Sequence, residues 1–188
     1  MSDKYDVFII DPPWGKKKGG KRGVRPNQGK QLSYNTMASY DIFKLLDKDI
    51  FSQAQENHTV FMWVIDEFFL TAEEEMKNRG YHRHARMIWD KCNGVAPCFT
   101  VRFTHEYLIW YYKPKLMKVA EDQRGRFGTV FREQAREHSR KPEISYQMVE
   151  MLYPEAKRLD VFSRTPRAGW DQFGNEPDGF DAVAWGFS

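Results

Sequence analysis

Three stretches of this chain are too apolar to lie at a surface, and they constrain its fold more than any other feature. Residues 5–10 read YDVFII, residues 58–65 HTVFMWVI and residues 105–113 HEYLIWYYK. Runs of this length, rich in β-branched and aromatic residues, predict strands buried on both faces. Segments with helical spacing separate them. YDIFKLLDKD places Ile42, Phe43, Leu45 and Leu46 on one face, with Ser39 as the expected N-cap. DEFFLTAEEEMKNRG (66–80) carries acids early and bases late and stops at Gly80. YHRHARMIWDK (81–91) and KRLDVFS (157–163) predict further strands. A helix is expected from Pro142 in its first turn to Tyr153, stopped by Pro154. Residues 114–138 predict a long charged loop on the substrate side. Strands alternating with helices predict an α/β three-layer sandwich around a mostly parallel sheet, as one domain over residues 1–188.

In such sheets ligands bind beyond the carboxyl ends of strands, where the strand order reverses. Two segments here end a buried strand and open a polar loop, Ile10 into Asp11 and Phe162 into Ser163. The first continues as Asp11-Pro12-Pro13-Trp14. Each proline fixes φ, lacks an N–H and pushes the preceding residue into an extended conformation. The expected result is a stiff corner of free carbonyls beside a carboxylate, with the Trp14 ring as a face for a stacking base. Acceptors beside a flat face suit an aromatic amine as substrate. Adenine's exocyclic amine is a poor nucleophile, and two acceptors on its N–H groups stabilise the positive charge that develops on attack. Alignment of nitrogen, methyl carbon and sulfur supplies the rest of the rate. Read alone, the tetrapeptide also fits a strand-to-loop corner whose tryptophan caps the core.

The net charge of +3 is unevenly placed. Residues 15–30 hold Lys16, Lys17, Lys18, Lys21, Arg22, Arg25 and Lys30 with no acid, so the remainder of the chain is acidic. A flexible basic loop of this kind contacts phosphates, or is simply a solvated surface segment. No run approaches membrane-spanning length, and MSDKYD lacks the apolar core of a signal peptide. Two cysteines, Cys92 and Cys98, give no disulfide framework, so the cytoplasm is the expected location. Their spacing is not that of a zinc ribbon or finger, and no metal site is expected. No nucleophile context supports Ser-His-Asp or Cys-His catalysis. Glu106 stands at a strand start, where it could brace a site, and has no assigned role.

Beyond the D-P-P-W, the chain carries SYNTM (33–37), W-D-K (89–91), QAREHSRKPEISYQMVEMLYP and KRLDVFSRTPRAGWDQFGNE, in that order. With these it resembles the adenine-N6 methyltransferases typified by the catalytic subunit of the messenger-RNA adenosine methyltransferase, and their bacterial and phage relatives. The resemblance runs from about Tyr5 to Gly179. It implies a Rossmann-like methyltransferase with permuted motif order and S-adenosylmethionine as cofactor. Asp11 and Pro12 would hold the target amine, while Pro13 and Trp14 would shape the base pocket. Tyr34 would lie near the substrate gate. Lys141 would pair with the cofactor's methionine carboxylate and Arg136 would flank the cofactor. Arg164 would approach the ribose and Asn175 would hydrogen-bond the cofactor. The basic loop, with Arg124, Arg126 and Arg132, would grip backbone phosphates. Eukaryotic members carry an acidic motif on an upstream strand and Pro-His-Asn after the arginine; here ten residues precede Asp11, and Thr165-Pro166-Arg167 replaces the second motif.

The expected substrate is nucleic acid, DNA favoured over RNA because no zinc finger or RNA-binding module is appended. A homodimer or a paired methyltransferase subunit is expected from the resemblance, in a bacterial or phage-infected cell. Two other readings stay open. One is methylation of another planar amine, such as a glutamine side chain or cytosine. The other is a non-catalytic subunit that only binds nucleic acid.

Overall fold

The apolar runs do become buried strands. The computed structural model describes residues 4–15, 36–94, 100–136, 140–163 and 165–174. Along the chain come β1 (Tyr5–Ile10), α1 (Ser39–Leu45), β2 (Ala54–Val64), α2 (Phe69–Asn78), β3 (His82–Asp90), β4 (His105–Lys113), β5 (Val130–Arg132), α3 (Glu143–Leu152), β6 (Arg158–Val161) and β7 (Asp171–Phe173). The seven strands among the described residues form one sheet in the order β5-β3-β4-β2-β1-β6-β7. β1 pairs in parallel with β2 and β6, β5 with β3, and β7 with β6. β4 runs antiparallel to both β2 and β3. This is the mostly parallel α/β sheet that the strand–helix alternation predicts.

Period-two alternation sorts the side chains onto two faces. Phe8, Ile10, Val60, Met62, Val64, Ile109 and Tyr111 face one way and pack with Ile42, Phe43 and Leu46 of the first helical segment and Ala72 and Met76 of α2. Val7, Ile9, Phe61, Trp63, Leu108 and Trp110 face the other way, against Met148, Val149 and Leu152 of α3. Both faces are covered, which is why these strands read as continuous apolar runs. Burying a side chain such as Ile42, Phe43 or Leu46 completely stabilises the fold by about 2 kcal/mol each.

Several local expectations change. The N-cap of α1 is Ala38, and Ser39 is already helical. The chain passes from α1 into a π-helical turn over Leu46–Ile50. A 3-10 turn, Asp66–Phe68, precedes α2, and Gly80 stops that helix at φ +79°, a conformation glycine adopts without penalty. The 114–138 connection is not a loop throughout: it contains a 3-10 turn at Glu121–Gln123 and strand β5. No helix among the described residues is long and apolar enough to cross a membrane.

β1 sits where the order reverses, between β2 and β6. α1, which follows β1, lies on one face, and the segment that follows β6 packs on the other, where Arg167 pairs with Glu143 and Glu150 of α3. Backbone leaving the two strand ends therefore diverges and leaves a crevice.

Candidate active site

The crevice is lined by Asp11, Lys141, Tyr146, Asp160, Phe162 and Arg167, with Arg140, Glu143, Ser163, Thr165 and Pro166. Both strand-to-loop junctions predicted from sequence thus reach the same place. The Asp11 N–H donates to the Val161 carbonyl at 3.1 Å, tying the end of β1 to the end of β6. Phe162 turns the chain away at φ +62°, and its N–H donates to Phe173. Gly174 lies so close behind that a Cβ on it would stand 2.9 Å from both Phe162 Cα and Ser163 N. Glycine is required there by the approach of two backbones, not by a turn.

The Pro-Pro corner differs from its expected form. The Pro12 carbonyl accepts from the Trp14 N–H at 2.8 Å and the Pro13 carbonyl from the Met37 N–H at 2.9 Å, so each has one lone pair engaged. Trp14 is 6% exposed. Its indole N–H donates to the Trp63 carbonyl at 3.0 Å, and its ring stacks on Phe68 at 5.2 Å. In this arrangement the ring closes the core below the corner and offers no open face to a base.

Strand alternation concentrates charge on the α3 face at this edge. Asp11 continues the Val7–Ile9 series, Glu106 the Leu108–Trp110 series, and Asp160 lies between Leu159 and Val161, which face the other way. Lys141, just ahead of α3, closes the group: Nζ lies 3.0 Å from Asp11 Oδ1 and 2.7 Å from Glu106 Oε2, and 5.1 Å from the centre of the Trp63 ring. Burial works against the ammonium, but the two carboxylates outweigh it and raise the Lys141 pKa above its ordinary value. Lys91 Nζ holds the other oxygen of Glu106 at 2.5 Å. Burial disfavours a charged Glu106, yet Lys141 and Lys91 keep its carboxyl below the usual range.

Asp160 is different. It is 2% exposed, and no cation pairs with it among the described contacts. One oxygen accepts the Tyr146 hydroxyl at 3.0 Å, and Oδ1 has no partner among the described residues. Burial, reinforced by the charge of Asp11, pushes its pKa up to about 7 despite the Tyr146 hydrogen bond. A lone acid inside the apolar run RLDV was the sequence signal for it. Glu106 carried the same signal at the start of HEYLIWYYK.

The first amides of α3 are not open to an anion. Glu133 caps them, Oε1 accepting from Glu143 N at 2.9 Å and Oε2 from Ile144 N at 3.1 Å. Arg136 supports the same segment, pairing with Glu133 and donating to the Lys141 carbonyl at 3.2 Å. Arg167 is held by Glu143 and Glu150 with its guanidinium 4.9 Å from the centre of the Tyr146 ring, and Trp170 packs as a core residue with its N–H on Glu150. Arg132 ends β5, the edge strand of the sheet away from β1 and β6, and pairs with Asp90. Arg124 and Arg126 lie toward the opposite end of the sheet: Ala120, just upstream, donates to Leu152 at the far end of α3. Lys16, Lys17, Lys18, Lys21, Arg22, Arg25, Tyr34, Arg164 and Asn175 lie outside the described residues, as does Cys98.

Histidines and acids do not gather into a metal-binding group among the described residues. His58 bridges the Gln55 carbonyl and the Tyr81 hydroxyl, each at 2.7 Å, in a structural role.

A family model described as MT-A70 matches residues 5–176. The chain belongs to the MT-A70 family. Among similar MT-A70 proteins is one from Arabidopsis thaliana named N(6)-adenosine-methyltransferase MT-A70-like, 27% identical over 180 residues, covering 93% of this chain and 24% of that protein. The human N(6)-adenosine-methyltransferase catalytic subunit METTL3 is 25% identical over 183 residues, 94% of this chain and 29% of its own length. A type II methyltransferase of Mycoplasma sp, M.MunI, is 24% identical over 187 residues, 93% of this chain and 79% of its length. The chain spans about a quarter of the plant relative and most of M.MunI.

Proposed function

We propose that this chain transfers the methyl group of S-adenosylmethionine to the exocyclic N6 amine of adenine in nucleic acid. The observation that carries the reading is the carboxylate of Asp11, held by Lys141 at the mouth of a crevice between divergent strand ends. There it accepts an N–H of the amine and offsets the positive charge that grows on nitrogen during attack. The Pro12 carbonyl, with one lone pair remaining, accepts the second N–H. The cofactor supplies an electrophilic methyl group when bound.

Two features of the crevice fit that cofactor. The buried, unpaired Asp160 Oδ1 is an acceptor awaiting a donor, and a ribose hydroxyl supplies one. Lys141 and Arg140, both lining the crevice, suit the methionine carboxylate. Above pH 7 Asp160 is charged, and its hydrogen bond to a hydroxyl strengthens accordingly. Arg164 and Asn175 are assigned to the cofactor, Tyr34 to the substrate gate, and the basic segment 15–30 with Arg132 to backbone phosphates. The target adenine enters unpaired or flipped from its stack.

The two polymers have different support. DNA is the polymer expected from the sequence, and M.MunI, named a type II methyltransferase, shares most of its length with this chain. RNA is favoured by relatives whose names specify adenosine, a ribonucleoside. Incubation with methyl-labelled S-adenosylmethionine and duplex DNA, single-stranded DNA or RNA, then nucleoside analysis, decides both acceptor and polymer. Label in N6-methyladenine supports the reading; label in cytosine or in protein overturns it. Asp11→Ala abolishes labelling and retains nucleic-acid affinity; a binding-only protein is indifferent to the change.

A further inference from the structure

Lys141 is shared between two acids, and a line of charge continues behind it. Reading inward from the surface, Lys91 Nζ meets Glu106 Oε1 at 2.5 Å, Glu106 Oε2 meets Lys141 Nζ at 2.7 Å, and Lys141 Nζ meets Asp11 Oδ1 at 3.0 Å. Two cations alternate with two anions in one line from the end of β3 to the crevice. Side-chain exposure is 20% at Lys91, 8% at Glu106, 9% at Lys141 and 21% at Asp11, so the middle of the line is dry and its ends are wet.

Lys91 does not owe its place to the ion pair. Its N–H donates to the Thr104 carbonyl at 2.9 Å and its carbonyl accepts from Ala135 at 3.0 Å, while its ammonium lies 5.5 Å from the centre of the Trp89 ring. Trp89 is the register partner of Glu106 across β3 and β4. The backbone thus delivers an ammonium to the one oxygen of Glu106 that Lys141 leaves open. A buried carboxylate with a bare oxygen pulls hard on whatever cation remains, because little water screens it.

We propose that Lys91 is a positioning residue for the reaction: by holding half of Glu106, it leaves Lys141 able to hold Asp11 at the crevice. This rests on the methyl-transfer reading and adds a residue outside the crevice to it. Asp11 and Glu106 compete for a single ammonium, and Lys91 decides the contest from the far side. The other charges nearby are already engaged: Arg132 with Asp90, and Arg136 with Glu133. His105 packs edge-on against Tyr107.

Removing the Lys91 charge reverses the balance. An opposite charge at this distance moves a carboxyl by about 1–3 pK units, so its loss weighs about tenfold or more on the Lys141–Asp11 contact. Lys91→Met therefore lowers kcat by about tenfold and also raises the KM for S-adenosylmethionine, whose carboxylate Lys141 helps to hold, and Lys91→Arg restores both. The double variant Lys91→Met/Glu106→Gln also recovers most of the activity, since no competing anion is left. A purely structural lysine predicts the opposite, with the double variant as poor as the single or worse. Crystal structures supply a readout free of turnover. In Lys91→Met, Lys141 Nζ moves off Asp11 beyond ion-pair distance; in the double variant it returns. A Lys141–Asp11 distance unchanged in Lys91→Met overturns the inference whatever the kinetics. Should Lys91→Met not fold, Lys91→Gln takes its place in both arms. Wild-type protein that labels no nucleic acid sinks the functional reading, while the crystallographic arm still tests the charge line.

Discussion

Asp160 gives the sharpest test of the site's electrostatics, because its stability effect has a sign that runs against the usual behaviour of acids. Its carboxyl titrates near 7 in the native state, against an ordinary value of 3.8. Between those two pH values the native protein holds a proton that the unfolded chain has released. The stability that comes with the neutral form is complete below about pH 4 and is lost as pH rises through 7. At about 1.4 kcal/mol per pK unit, ionised Asp160 costs the fold about 4 kcal/mol above pH 7. Asp160→Asn removes the titration and keeps an acceptor for the Tyr146 hydroxyl. Its amide N–H, placed where Oδ1 now lacks a partner, adds a cost of about 1–3 kcal/mol that does not vary with pH. Between pH 5 and pH 8 the variant gains about 3 kcal/mol on the wild type, whatever that constant offset. For a chain of 188 residues this is a relative shift in Tm of about 6 to 12 °C. Thermal melts of both proteins at pH 5, 6, 7 and 8 measure it, and other ionisable groups cancel between them. Parallel Tm curves would falsify the claim that burial holds Asp160 neutral. Tyr146→Phe sharpens the test: without the hydroxyl, which now favours the charged form, the steep part of the wild-type curve moves to higher pH.

Two further perturbations address the corner and its neighbour. Trp14→Phe removes the N–H that satisfies the buried Trp63 carbonyl and costs about 1–3 kcal/mol, read as a Tm lowered by about 2–12 °C; an unchanged Tm means the indole does not lock the corner. Gly174→Ala drives a methyl group into the Phe162–Ser163 backbone and costs about 1–3 kcal/mol, with weaker S-adenosylmethionine binding in calorimetry because the wall of the crevice shifts. Full stability and affinity in that variant would show that the two segments separate freely.

What was legible in the sequence was what buries apolar surface continuously. β1 and β4 have the bounds expected for them, and α3 falls within its Pro142–Tyr153 frame. β5 and β7 were missed because each is three residues at an edge of the sheet, with too few positions to show a period. The amino end of β2 was missed because Gln55, Glu56 and Asn57 look like a loop, although they extend a strand whose remainder is buried. In the site, Asp11 and Lys141 stood out through the motifs around them. Glu106 was legible as a brace without an assigned role and Asp160 was not singled out, because a charged residue in a buried strand takes its meaning from neighbours on other strands. Trp14 was legible as aromatic, but which side its ring takes depends on Phe68 and Trp63, about fifty residues away.

The pairing of β1 with β6 has a consequence for how the protein is made. The two strands are adjacent in the sheet, and yet about 150 residues separate them in sequence. Every other wall of the crevice can be synthesised and begin to pack while this one is missing. Closing so long a loop places the step late in folding and makes it slow compared with hairpins and neighbouring helices. A nascent chain stalled before Arg158 therefore displays the carboxylate corner with one flank of β1 unpaired, an edge ready to take a strand from another molecule. The crevice is complete only once β6 and β7 have been made, because its last wall comes with them.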